Sequence, residues 1–77
     1  MSAPTLADLA LARQTMTVSG TRVRVMADLD ADTAALLLRR GLAELDDEYE
    51  AFVPGEAQKC LTVTQYGFDL VLGRLTP

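Results

Sequence analysis

DADTAALLLRRGLAELDDEYE, residues 30–50, spells a helix with both ends marked and then an abrupt run of acids. Asp30 is a good N-cap, because its carboxylate can accept from the unpaired N–H groups of a first turn. Asp32 sits where the helix dipole favours negative charge, and Arg39 and Arg40 sit where it favours positive charge. Gly41 suits the left-handed position just past a helix end. Leu42 then falls where a Schellman cap lays an apolar side chain back onto Leu37. The spacing predicts a helix over 30–40 with Ala34, Leu37 and Leu38 as its buried stripe. Glu44, Asp46, Asp47, Glu48 and Glu50 follow, five carboxylates within seven residues, beside the aromatics Tyr49 and Phe52.

Upstream, the period changes. Met16 and Val18 alternate with threonines, Ser19-Gly20 interrupts, and Val23 and Val25 alternate with Arg22 and Arg24. Alternation on both sides of a Gly predicts a β-hairpin over 15–27, valines toward the core and the two arginines toward solvent. Further back, Thr5 can cap a short helix over 5–14, with Asp8 three residues on as a capping-box variant and Leu6, Leu9 and Ala10 on one face.

Downstream, Leu42–Leu45, Tyr49–Val53 and Lys59–Val63 read as short strands, with Pro54-Gly55 as a turn. Thr64 can cap a last helix over 65–75. Phe68, Val71, Leu72 and Leu75 supply the spacing of a core face, and Tyr66 and Leu70 fall on another, exposed one. Gly67 and Gly73 inside that helix imply close packing or a bend. The order α-β-β-α-β-β-β-α predicts one small α+β domain over 1–77, built on antiparallel strands with three short helices.

The whole chain has 77 residues, 49% of them apolar, which is globular rather than disordered composition but allows only a small core. A homodimer would bury more. Seven Lys and Arg stand against eleven Asp and Glu, a net charge of −4 that repels phosphate backbones and attracts basic partners. There is one Cys and no signal-like or membrane-spanning apolar stretch, so a reducing, cytoplasmic setting is expected.

Catalytic chemistry finds few candidates. There is no His, and Cys60 has no base to activate it. Asp28, Asp30 and Asp32 alternate like the start of a calcium loop, but Thr33 stands where glycine is needed and Arg39 where a bidentate glutamate is needed. No metal or cofactor is therefore expected, and no enzyme. Arg22, Arg24, Arg39 and Arg40 are the candidate basic patch, provided the hairpin pair and the helix pair meet in space.

Two resemblances attach to these residues. V-R-V at 23–25, followed by D-A-D-T-A-A-L-L-L-R-R-G-L-A-E at 30–44, resembles small accessory proteins of phages and prophages, in which a strand and a short helix exit through R-G-L-A-E. The likeness covers about a third of the chain. It implies a mobile-element role, in virion assembly or in interference with a host system, within the host cytoplasm. Arg40-Gly41-Leu42, a wing candidate at 46–59, and Leu61-Thr62 with Gln65-Tyr66-Gly67 are similar to the tail of winged-helix domains. That likeness implies DNA binding through the four arginines. It departs from the pattern at 17–27, which reads as strand where a helix-turn-helix needs a helix.

The leading expectation is a non-enzymatic interaction protein that occludes a basic surface of a host protein complex, as anti-CRISPR inhibitors do. Glu44, Asp46, Asp47, Glu48 and Glu50 would steer and pair, and Tyr49 or Phe52 would anchor. A winged-helix-like regulator and a virion assembly protein are the alternatives.

Overall fold

The computed structural model describes residues 3–46 and 61–77. Its elements are α1 (Leu6–Thr15), β1 (Met16–Ser19), β2 (Arg22–Val25), α2 (Ala31–Arg39), β3 (Ala43–Leu45), β4 (Leu61–Val63) and α3 (Gln65–Val71). This is a small α+β architecture with two antiparallel strand pairs, β1–β2 and β3–β4. The expected strand Tyr49–Val53 lies outside the described residues. No described helix is long and apolar enough to cross a membrane.

The hairpin pairs Met16 with Val25, Thr17 with Arg24, Val18 with Val23 and Ser19 with Arg22. The turn therefore falls on Gly20-Thr21, one residue later than expected. Gly20 (φ 62°) takes the first turn position, where a positive φ is required and glycine supplies it at little cost. Met16 and Val25 are buried, Val23 half-buried, and Val18 stands 49% exposed at the hairpin tip.

The second pair matches Ala43 with Val63, Glu44 with Thr62 and Leu45 with Leu61. The chain from 46 to 60 thus leaves and re-enters at neighbouring points of the sheet. β2 lies against β4, without a shared hydrogen-bond ladder. β2 and β4 are therefore the neighbouring strands of two separate pairs.

Helix α2 forms as its sequence predicts. Asp30 caps it by accepting from the Thr33 N–H at 3.4 Å. At the other end Gly41 is left-handed (φ 73°), its N–H donates to Leu38 O at 3.2 Å, and the Leu42 N–H donates to Leu37 O at 3.0 Å. These are the two bonds of a Schellman cap. Leu37 and Leu42 are both fully buried, with Ala34, Ala12, Met16, Val25, Ala43, Leu61 and Leu70 in one core. Burying a leucine this completely contributes about 2 kcal/mol.

The last helix corrects its expectation in length and in face. It ends at Val71 rather than 75. Gly73 (φ 77°) repeats the cap of Gly41, with its N–H on Leu70 O at 3.2 Å and the Arg74 N–H on Asp69 O at 2.8 Å. Leu70 is fully buried and Gly67 is buried, while Phe68, Val71, Leu72 and Leu75 are only partly so. The reason is Gly67. A Cβ there would penetrate the Leu42 carbonyl oxygen and stand 3.2 Å from the Met16 methyl. Only a bare Cα lets the helix approach the Leu42 backbone so closely, and that approach turns Leu70, three residues on, inward.

Helix α1 also presents an unexpected face. Leu6 is 75% exposed and Ala10 is exposed, while Asp8, Ala12 and Thr15 are buried. The stripe at i, i+4 and i+7 is small or polar, which lets α1 pack tightly against α3. The Thr15 hydroxyl is satisfied by donating to Leu11 O at 2.7 Å.

Candidate functional surface

Charge is handled in two separate places, one inside and one outside. The inner one centres on Asp8. Thr5 caps α1 as expected, accepting from the Asp8 N–H at 3.0 Å. The Asp8 carboxylate, however, does not complete a capping box. It receives Arg40 Nε at 2.7 Å and Arg40 Nη2 at 3.1 Å, a two-pronged pair, and the Tyr66 hydroxyl donates to it at 2.8 Å. Asp8 lies on α1, Arg40 caps α2 and Tyr66 lies on α3, so one carboxylate ties three helices together.

The electrostatics follow from the bonds. Hydrogen bonding from Arg40 holds the Asp8 carboxyl below its ordinary 3.8, outweighing burial, and Tyr66 adds to the effect. Burial first, and the Asp8 carboxylate second, push the Tyr66 phenol above its ordinary 10.0. The Asp8 side chain is 5% exposed and that of Arg40 45%, so the guanidinium covers the acid and keeps one side in water. Arg40 is consequently committed to Asp8 rather than displayed beside Arg39.

The outer place is the sheet. Met16, Val25, Ala43 and Leu61 point into one core, so their strand neighbours point away from it. Thr17, Ser19, Arg22 and Arg24 line a shallow depression on the outside of the hairpin. Glu44 and Thr62, a cross-strand pair, are exposed on the outside of β3–β4, with Asp46 at the exit. Arg24 and Thr62 both line the cleft where β2 meets β4. The two polar outsides adjoin at this cleft, cationic on β1–β2 and anionic on β3.

Of the expected acidic surface, the described residues place Glu44 exposed and Asp46 half-exposed. Asp47, Glu48, Tyr49, Glu50 and Phe52 lie outside the described residues, as does Cys60. Of the expected basic patch, Arg22 and Arg24 share the hairpin face, Arg39 is exposed on α2, and Arg40 is bound to Asp8. Asp30 acts as a cap. Among the described residues no three His, Cys, Asp or Glu side chains gather as a metal site.

Sequence reading missed the Asp8 centre because its partners are 32 and 58 residues away. The one local signal was Asp8 at i with Ala12 and Thr15 at i+4 and i+7, a stripe too small to be a leucine face yet free of other charge. No protein-family model matches the chain, and no similar curated protein or solved structure is found.

Proposed function

We propose that this chain is a non-enzymatic interaction protein that uses its acidic β3 end to occupy a basic surface of a protein partner. The observation that carries this reading is Glu44. It is exposed in the middle of β3 and makes no ion pair with any described residue, and it opens the run Asp46, Asp47, Glu48 and Glu50. Carboxylates at such a site steer a cationic partner and speed encounter. Of the groups with shifted pKa, Asp8 accepts from both Tyr66 and Arg40, an arrangement suited to holding helices rather than moving protons. A partner within a host complex, with a phage or prophage as the source of the chain, is the form of this proposal that the R-G-L-A-E resemblance favours.

The DNA-binding reading draws less support. The hairpin β1–β2 stands where a helix-turn-helix would need a helix, and Arg40 is occupied.

The test is capture from a host lysate with the tagged chain as bait, identified by mass spectrometry. The control bait carries Glu44→Lys, Asp46→Lys, Asp47→Lys, Glu48→Lys and Glu50→Lys. A basic protein retained by the natural chain and lost by the control, with circular dichroism unchanged, supports occlusion. The same proteins on both baits, or duplex oligonucleotide retarded at low salt, would defeat it.

A further inference from the structure

We propose that the outer sheet face is a docking surface for a second copy of this chain, the two copies related by a two-fold axis running along the strands between β2 and β4. The inference starts from the distribution of charge on that face. Arg22 and Arg24 stand on the β1–β2 side beside the hydroxyls of Thr17 and Ser19, and Arg24 also reaches the cleft beside Thr62. Glu44 stands on the β3 side, opposite Thr62. The cations belong to the β1–β2 pair and Glu44 to the β3–β4 pair, and the two pairs meet where β2 lies against β4.

A face with cations on one side and anions on the other is self-complementary. Rotation about an axis in the interface, parallel to the strands, lays each copy's Arg22 and Arg24 over the other's Glu44. The same contact is then made twice, as an isologous interface requires. A rotation about the perpendicular in-plane direction would set like charge on like, so the charges also choose the axis. The Thr17, Ser19 and Thr62 hydroxyls between them can hydrogen-bond across the interface in either direction.

A polyanion such as nucleic acid is the rival occupant for Arg22 and Arg24. Glu44 on the same face and a net charge of −4 both oppose it. A second copy satisfies both ends at once. The contact is polar and salt-sensitive, which describes a reversible dimer rather than an obligate one. The proposal does not rest on the partner-occluding role, because it is read from the mass of the purified chain alone.

Sedimentation velocity across a concentration series tests it, at low salt and at ~0.5 M salt, where screening is nearly complete over a few ångströms. The natural chain is expected to pass from monomer to dimer at low salt, with dissociation favoured at least about tenfold by the high salt. Arg22→Glu with Arg24→Glu makes the cationic side acidic, and Glu44→Arg puts a cation in the middle of the anionic side. Each variant alone is expected to remain monomeric, and an equimolar mixture to dimerise. Arg22→Gln with Arg24→Gln and Glu44→Gln provide milder versions, checked by circular dichroism. A chain that stays monomeric at every concentration overturns the proposal. So does a dimer that ignores these substitutions, or a mixture that fails to associate. A labelled duplex oligonucleotide bound by the monomer through Arg22 and Arg24 would assign the face to a polyanion instead.

Discussion

Among the helices the carboxylate of Asp8 is enclosed and takes hydrogen bonds from Arg40 and Tyr66, whereas on β3 Glu44 is exposed and makes no ion pair with a described residue. Both are single acids in a chain that carries eleven. Their surroundings, not their charge, separate them. Asp8 is buried, so each bond to it replaces water that was removed, and losing one leaves a polar group unsatisfied. Glu44 keeps its water, so its charge is available to a partner and contributes little to folding. Density of charge in the sequence is therefore a poor guide to where charge holds the fold. The run at 44–50 is conspicuous and outward at its start, while the acid that organises the helices stands alone in a stretch of leucines and alanines.

This contrast can be broken or sharpened by substitution. The largest effect is expected where no charge is involved. Gly67→Ala drives a methyl into the Leu42 carbonyl and should cost about 3 kcal/mol in a urea melt, forcing α3 away from Leu42 and pulling Tyr66 away from Asp8. If the loss is negligible, the close approach does not set the helix face.

Asp8→Asn should cost about 2 kcal/mol, since the amide cannot satisfy Arg40 and Tyr66 as a carboxylate does. It should also change the pH dependence. The folded pKa of Asp8 lies below 3.8, so its stabilisation is complete above the unfolded value and is lost as pH falls through the folded one. Asp8→Asn should flatten this acid limb. An unchanged limb would mean that Asp8 is not the group responsible.

Tyr66→Phe removes one hydrogen bond and should cost about 1 kcal/mol, or about 4–8 °C in Tm for a chain of this size. The raised phenol pKa gives the opposite sign from Asp8. Its stabilisation is complete below 10.0 and lost as pH rises through the folded value, so the phenylalanine variant should show a flatter alkaline limb. Glu44→Lys should be smallest, with Tm within about 2 °C of the natural chain. A large fall would move Glu44 from display into the fold.

How much of this was legible follows from range. Thr5, Asp30, Gly41 and Thr64 act as the caps their local sequence predicts, because a cap is decided within about four residues. The hairpin and its outward arginines were legible for the same reason. Gly73 was read as a site of close packing or a bend inside a helix, since Leu-Val-Leu before it and Leu75 after it continue the period. Its role depends on a backbone conformation that the period does not reveal. On α3, Val71 and Leu75 pack at the edge of the core as expected, but Leu70 takes its centre because Gly67 packs on Leu42, a contact 25 residues away that no spacing rule contains. Asp8 could be placed on a helix, but not beside Arg40 and Tyr66.

The hydroxyl of Thr64 has a consequence of its own. It accepts from the Gly67 N–H at 3.2 Å and donates to the Gly41 carbonyl, so the last turn of α2 and the first turn of α3 are closed by the same oxygen. Neither turn can fray without releasing the other. The Leu42 amide, which closes the cap of α2, and the Gly67 amide, in the first turn of α3, then belong to one cooperative opening unit and should lose their protection from solvent deuterium together.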